Sequence, residues 1–421
     1  MAEMPIQDII VVGMGRIGLP TAACLADSGY HVVGVDIDDE KVKSIRKGGV
    51  DQAEPGLSEL LNRVLDSGSL RVVADPEGGD AFVLCLPTLL NEDNTCDLSC
   101  LSAAMDSLSG LLEPGNLVVL ESTVPVNTTR DFLVPGFRDL GVETDDIDFA
   151  YAPERITSGN MLDELRNQDR IIGGITRRAA ERAKIVYSSF VDGEIVLTDA
   201  STAELVKLAE NTYRDINIAF ANEIALFCER EGLDAQEAIA LANRHPRVNI
   251  HRPGPAVGGH CIPVVPYFLA QNTTYDVMIR AARSVNESMP RHIANLVLRA
   301  VSGVEHPVVA LMGVAYKADS SDPVNSPAIQ VMGHLTGEGL EILLYDPLVR
   351  HPDIDIASLR KALSADCIVF LVAHSEFRKL DPVKPRRGMG TLIDAADCID
   401  VAAWGEEGWL VEPFGRRKTR A

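Results

Sequence analysis

The sequence predicts an α/β protein: two Rossmann-like doubly wound domains joined by a central helical dimerisation domain. Three observations predict it. Residues 7–36 run strand, glycine turn, helix, strand. The last third starts that order again without a full glycine fingerprint, and a long, largely apolar helical pattern lies between. A chain of 421 residues exceeds one hydrophobic core, and the expected divisions fall at 1–198, 199–300 and 301–421.

The first element is read from DIIVVGMGRIGLPTAACLADSGYHVVGVD, with Gly13, Gly15 and Gly18 after an apolar run and Asp36 closing the next strand. A glycine triplet alone is weak evidence. With a strand before it, a helix after it and an acid about twenty residues on, it predicts a dinucleotide site. The glycines admit a tight turn against a pyrophosphate, and the helix start offers N–H groups to that anion. Asp36 suits free ribose hydroxyls and repels a 2′-phosphate, which favours NAD over NADP. Two further apolar runs lead to polar residues, Thr88 and Thr123. In a doubly wound sheet they face the ligand side, although strand-end capping explains either one equally well alone.

The middle pattern, STAELVKLAENTYRDINIAFANEIALFCEREG, opens with a capping-box spacing, Ser201 and Glu204, and stops at Gly232. Lys207, Asn211 and Arg214 fall on one helical stripe, either a solvated face or a set of functional groups. So long and apolar a helix suits a subunit interface. Further on, PAVGGHCIPVVPYF places Cys261 after two glycines and a histidine. Most unpaired cysteines are inert core residues, so a nucleophile must be argued for. The C-terminal third reads PVVALMGVAY, SPAIQVMGHLTGEGLEILLYDP and DCIVFLVAH, and the chain closes on a basic, mobile-looking GRRKTRA.

Composition narrows the function classes. A formal net charge of −22 argues against a nucleic-acid partner, and an acidic chain that binds an anionic substrate must gather local cations. Ten Lys against 29 Arg, with abundant acids, resembles proteins of salt-rich cytoplasm. No CxxC pair occurs among the eight cysteines, so neither a zinc site nor a disulfide framework is expected, and a reducing, cytoplasmic setting is. No leader pattern opens the chain and no apolar run is long enough to cross a bilayer.

The ordered series GMGRIG, ESTVP, APER, the Lys207–Asn211 helix, GGHC and AYK resembles the UDP-glucose/GDP-mannose dehydrogenase family across nearly the whole chain. APER, HPRVN and GPAVGGHCIP look most like the branch that oxidises UDP-N-acetylmannosamine. The resemblance implies a four-electron oxidation of a sugar-nucleotide C6 alcohol to a carboxylate, with two NAD per sugar. It makes Cys261 the nucleophile, Lys207 an acid–base and oxyanion group, Asn211 its partner at the reacting oxygen, and Glu154 the activator of water. Arg155, the Ile156 backbone, Lys207, Asn211, Arg214, Gly258 and Lys317 then contact the nucleotide-sugar substrate. His245 and Arg247 match residues that reach it from a neighbouring subunit, so a homodimer or higher oligomer is implied. Gly13, Gly15, Arg16, Ile17, Gly18, Asp36, Lys41, Thr88 and Thr123 match the cofactor set. No metal enters.

The sequence also departs from the family pattern. Val265 stands where an aspartate usually follows the cysteine by four residues, Val324 and Ala396 stand at usual arginines, and Asn127 replaces a common glycine. A charge-assisted hydrogen bond is worth roughly 1.5–3 kcal/mol. The losses therefore leave three expectations: a working UDP-N-acetylhexosamine 6-dehydrogenase, the same reaction on UDP-glucose or UDP-N-acetylglucosamine, or a degenerate sugar-nucleotide-binding paralogue with little turnover.

Overall fold

The computed structural model describes residues 5–50, 54–157, 159–271 and 273–416. They form two compact units, one of residues 1–210 with 267–273 and one of 211–266 with 274–421.

The first unit is built on an eight-stranded sheet: β1 (Asp8–Val12), β2 (His31–Val35), β3 (Leu70–Val73), β4 (Ala81–Leu84), β5 (Leu117–Leu120), β6 (Asp148–Tyr151), β7 (Arg170–Gly174) and β8 (Ile195–Asp199). Their order is β8-β7-β6-β5-β4-β1-β2-β3, parallel throughout except where β6 meets β7. Strands β1, β4 and β5 are continuous apolar runs because helices cover both faces, which alternating strands would not permit. The order reverses at β1, which pairs with both β2 and β4, and that is where a ligand crevice opens in such a sheet. Helix α1 (Gly18–Asp27) follows β1 and is buried from Gly18 to Ala26.

Helix α2 (Ala200–Glu231) runs for 32 residues and ends before Gly232, whose φ of 72° suits a residue without a side chain. The expected capping box is corrected here. Strand β8 delivers Asp199 to the helix start, where its carboxylate accepts from Thr202 N at 2.9 Å and Thr202 Oγ1 at 2.6 Å. Glu204, freed from capping, is fully buried and accepts from Asn127 N (2.5 Å), Thr129 N (2.8 Å) and Thr129 Oγ1 (2.6 Å).

The second unit carries a five-stranded parallel sheet: β9 (Val308–Met312), β10 (Glu341–Tyr345), β11 (Cys367–Phe370), β12 (Gly390–Asp394) and β13 (Trp409–Pro413), in the order β10-β9-β11-β12-β13. Its switch point lies between β9 and β11. Helices α3 (Val265–Ala270), α4 (Val277–Ala300) and α5 (Pro327–Leu335) precede or interrupt it in sequence. Met289, Ile293 and Val297 of α4 pack with Val309 and Leu311 of β9 and with Val331 of α5 in one core. Of the basic tail, Gly415 and Arg416 are described, with Arg416 paired to Asp397; residues 417–421 lie outside the described residues. Among the described residues no helix is long and apolar enough to cross a membrane.

Candidate active site

Strand β1 ends in a turn that only glycine permits. A side chain on Gly13, with φ at 91°, would meet the Cys85 carbonyl oxygen at 2.3 Å. One on Gly18 would meet the Gly13 carbonyl oxygen at 1.8 Å, so the helix start packs directly on the turn. Gly15 has nothing within 4 Å of its own Cβ position, which leaves open space over the turn. No side chain caps α1; Leu19 N already donates to the Gly15 carbonyl at 3.1 Å and Pro20 has no N–H, so an anion would be met by the N–H groups of the turn just before them.

Asp36, buried at the end of β2, fixes this turn from the other side. Its Oδ2 accepts from Met14 N at 3.0 Å and Lys41 Nζ at 3.1 Å, while Oδ1 accepts from Asp38 N at 3.0 Å. A carboxylate has about four acceptor directions, so Oδ1 keeps one for a hydroxyl. Ile37 beside it is 96% exposed. The two strand-end threonines lie three residues past Leu84 or Leu120, or one more, rather than within β4 and β5. They are nonetheless together: Thr88 Oγ1 donates to the Thr123 carbonyl at 2.7 Å. Open space, an uncapped helix start and an acid with an acceptor direction to spare fit a dinucleotide.

Glu154 follows β6 and meets α2. Lys207 Nζ donates to the Glu154 carbonyl at 2.6 Å and to its Oε1 at 3.1 Å, and both side chains are about nine-tenths buried. The Ile156 N–H donates to Glu154 Oε2 at 2.6 Å. Arg155 is held by Glu210 and by the Asp169 carbonyl. Arg155 and the Ile156 N–H thus already have protein partners.

In the second unit Asn211 is buried, and its Nδ2 has no hydrogen-bond partner among the described residues. A buried donor left so costs about 1–3 kcal/mol, which a bound acceptor would recover. Arg214, expected on the same stripe, is exposed. The next turn of α2 places Asp215 against Arg283 Nη1 and Asn286 Nδ2, both at 2.8 Å. Asn222 bonds Asn286 and accepts from Gly254 N at 2.8 Å. That buried chain ties the approach to the cysteine onto α2 and α4.

Cys261 is half-buried, and its carbonyl accepts from Val264 N at 3.1 Å and Val265 N at 2.8 Å. All eight cysteines are described and none is bridged. A Cβ on Gly259, with φ at 88°, would lie 2.8 Å from the Tyr316 ring, and one on Gly258 would lie 2.7 Å from the Asn325 carbonyl oxygen. Gly259 N donates to the Val324 carbonyl at 3.0 Å, Asn325 Nδ2 returns a bond to Gly259 O at 2.9 Å, and His260 meets Asp322 at 3.2 Å. The two glycines before the cysteine are therefore required by close contact with the 316–325 loop, which carries Lys317. His245 and Arg247 are exposed on a loop closed by two bonds between the Asn243 side chain and the Ile250 backbone.

Sequence reasoning missed several residues. Glu121 of ESTVP pairs with Arg170 in the interior and accepts from the Cys85 thiol at 3.0 Å; burial pushes that thiol up to about 12. Glu204, Asp215 and Asp346 are likewise buried acids with distant partners. Only their apolar surroundings in the sequence signalled them. Among the described residues no cluster of three or more His, Cys, Asp or Glu side chains could hold a metal ion.

Comparison with known proteins gives the same reading. Three family models match in order: the UDP-glucose/GDP-mannose dehydrogenase NAD binding domain over residues 7–191, the central domain over 201–288 and the UDP binding domain over 310–401. The chain is 40% identical to the UDP-N-acetyl-D-mannosamine dehydrogenase of Methanococcus maripaludis, covering 98% of each. It is 41% identical to the NDP-N-acetyl-D-galactosaminuronic acid dehydrogenase of Ralstonia nicotianae, over 90% of this chain and 93% of that one. Its fold matches the structure of the UDP-D-ManNAc dehydrogenase from Pyrococcus horikoshii with a TM-score of 0.90 and 39% identity, over 98% of this chain and 100% of that one. The chain therefore belongs to the UDP-glucose/GDP-mannose dehydrogenase family and is an NAD-dependent nucleotide-sugar dehydrogenase.

Proposed function

We propose that this chain oxidises the C6 primary alcohol of a UDP-N-acetylhexosamine, UDP-N-acetylmannosamine, to the uronate. The observation that carries the reading is the buried Lys207–Glu154 pair, a cation and a carboxylate kept together where proton transfer is needed. NAD, when bound, supplies the acceptor for each hydride. The Gly13–Gly18 turn and the uncapped start of α1 hold its pyrophosphate with Arg16 and Ile17, Asp36 and Lys41 its ribose, Ile37 flanks its base, and Thr88 and Thr123 line the strand ends.

The protein's own groups account for the remaining chemistry. Lys207 exchanges the alcohol proton and, with Asn211, stabilises the oxyanion. The aldehyde's remaining hydride cannot leave a bare carbonyl carbon, so the Cys261 thiolate adds to that carbon and gives a thiohemiacetal. Loss of hydride leaves a thioester. Glu154 takes a proton from water, the hydroxide attacks the carbonyl carbon, and the C–S bond breaks to return the thiolate. Per sugar, one alcohol and one water give a carboxylate, two hydrides and three protons. Arg155, the Ile156 N–H, Arg214, Gly258 and Lys317 hold the substrate; Arg155 and Ile156 must exchange their present partners to do so.

The division at 1–198, 199–300 and 301–421 belongs to this reading, as does a homodimer in which His245 and Arg247 serve the neighbour's site. Tyr213, Phe220 and Phe227 support the dimer. They repeat every seven residues along α2 and are each about half exposed, an apolar stripe on one face of the helix. A cytoplasmic setting follows from the nucleotide-sugar substrate and the unbridged cysteines.

A second reading is favoured by the substitutions at Val265, Val324 and Ala396: oxidation that stalls before hydrolysis. Arg416 weighs against it at one position, where its guanidinium pairs with Asp397, next to Ala396. The test is NADH released per UDP-N-acetylmannosamine consumed, with Cys261→Ala alongside and UDP-glucose, UDP-N-acetylglucosamine and UDP-N-acetylgalactosamine as competitors. Two NADH per sugar, lost in the variant, supports full oxidation. A stall after one enzyme equivalent supports the second reading, and faster turnover of another sugar reassigns the substrate.

A further inference from the structure

The strand-end histidine of DCIVFLVAH has no place in the mechanism above, yet its surroundings are unusually specific. His374 is fully buried at the end of β11. Its Nδ1 accepts from Asp319 N at 3.0 Å, and Nε2 lies 3.1 Å from Asp346 Oδ2. The first contact requires an unprotonated Nδ1, so Nε2 carries the proton and donates to Asp346. The ring therefore spans two segments in one fixed tautomer.

Those segments bracket Lys317. On one side Asp346 also accepts from Val314 N at 2.6 Å and Ala315 N at 2.9 Å, the residues that enter the turn after β9. On the other, Asp319 leaves that turn with φ at 55°, a left-handed conformation that a non-glycine residue adopts only when held. It is held by His374 and by Ser375, whose N and Oγ donate to the Asp319 carboxylate at 2.8 and 2.6 Å. Lys317 thus sits between two anchors, and one imidazole joins them. Strands β9 and β11 flank the switch point of this sheet, where ligands of doubly wound folds bind.

We propose that His374 is a positioning residue for the nucleotide sugar, acting through the 313–319 turn that presents Lys317. The inference rests on the reading of Lys317 as a substrate contact. The experiment measures kcat and KM for UDP-N-acetylmannosamine, and KM for NAD, in Lys317→Gln, His374→Phe and His374→Gln. Phenylalanine keeps the ring and loses both bonds; glutamine can donate and accept again.

The expected result is a KM for the sugar nucleotide raised about tenfold or more in His374→Phe, the effect of losing one or two hydrogen bonds. kcat and the KM for NAD stay within twofold, and His374→Gln recovers most of the loss. A raised KM in Lys317→Gln with an unchanged KM in His374→Phe overturns the inference and leaves the Lys317 reading intact. An unchanged KM in Lys317→Gln defeats that reading and the inference with it. Equal losses in kcat and in both KM values, without rescue by glutamine, reduce His374 to a packing role and overturn the inference. Should His374→Phe fail to fold, Ser375→Ala, an exposed member of the same clasp, is read on the same KM. If the wild-type chain releases no NADH, calorimetric binding of UDP-N-acetylmannosamine takes the place of KM in every comparison.

Discussion

Replacing Glu154 with glutamine separates the two jobs assigned to that side chain, holding Lys207 and activating water. Its two oxygens serve different donors, Lys207 Nζ at 3.1 Å and Ile156 N at 2.6 Å. At 3.1 Å the gross attraction between unit charges is about 5 kcal/mol for an effective dielectric constant near 20. Desolvation offsets part of this, and breaking a buried pair by removing one partner typically costs about 3–5 kcal/mol. Glutamine keeps one acceptor oxygen. Turned to Lys207, it sets its NH2 against the Ile156 N–H, donor facing donor, which adds about 1–3 kcal/mol for the orphaned amide. Lys207 retains the Glu154 carbonyl at 2.6 Å in either case, so the lysine stays in place.

The variant is therefore expected to fold with lower stability, to pass both hydrides, and to fail at the thioester. Stopped-flow NADH absorbance should show a burst approaching two NADH per Cys261. A steady state roughly 10²- to 10⁴-fold slower than wild type should follow, the usual worth of a general base. An unchanged, linear time course would refute the role in water activation. Loss of the burst itself would place Glu154 before the thioester, acting through Lys207. Lys207→Met alone and combined with Glu154→Gln then measures the coupling between them.

Three further outcomes are expected. Burial raises the Glu204 carboxyl above its ordinary value against the hydrogen bonds from Thr129 and Asn127. A raised folded-state value gives stability that is complete at low pH and is lost as pH rises through it; Glu204→Gln should lack that fall, and parallel pH–stability curves would refute the assignment. Gly259→Ala forces a Cβ to 2.8 Å from the Tyr316 ring at a positive φ, so the cysteine turn should shift and kcat should drop at least about tenfold, a loss near 1.4 kcal/mol. Alkylation of Cys261 at a wild-type rate with wild-type kcat would show that the turn tolerates the change. Arginines at Phe220 and Phe227 should convert the proposed dimer to monomer by light scattering, and lose turnover with it if His245 and Arg247 act across the interface. A dimer unchanged by both substitutions would move the interface elsewhere.

What the sequence made legible was local. The Gly13–Gly18 turn and Asp36 lie at a fixed spacing along one βαβ unit; the glycines before Cys261 were legible as a run, although the contacts that require them come from the distant 316–325 loop. The buried acids were not legible. Glu121 finds Arg170, Glu204 finds the 127–129 loop, and Asp215 finds Arg283, partners separated by 49, 75 and 68 residues. Nothing in a lone acid within an apolar run tells which distant donor will reach it. The capping-box expectation failed for the same reason: the spacing of Ser201 and Glu204 was right, but Asp199, delivered by β8, took the local role. The Lys207–Asn211–Arg214 stripe splits, with two members buried and the third exposed, because periodicity gives a direction and not what covers it.

The two sheets show how one topology yields two binding chemistries. Each ends its second strand in aspartate, Asp36 after β2 and Asp346 after β10. Asp36 takes two backbone N–H groups and the ammonium of Lys41, and retains an acceptor direction beside exposed Ile37. Asp346 takes four backbone N–H groups, from Val314, Ala315, Leu348 and Val349, and then the imidazole of His374. Five donors exhaust a carboxylate with about four acceptor directions, so no ribose hydroxyl can be accommodated there. Against burial, which raises it, the His374 bond and the backbone N–H groups hold the Asp346 carboxyl below its ordinary range, and the charge stays committed to the protein. The second sheet therefore spends its acid on fixing a loop, and on the proposed reading recognition passes to what that loop presents, a lysine. The missing glycine fingerprint after β9 and the saturated Asp346 are one fact: this unit has exchanged a dinucleotide cradle for a rigid mount. On that view the cation at Lys317, rather than the acid beneath it, is what an anionic nucleotide sugar meets.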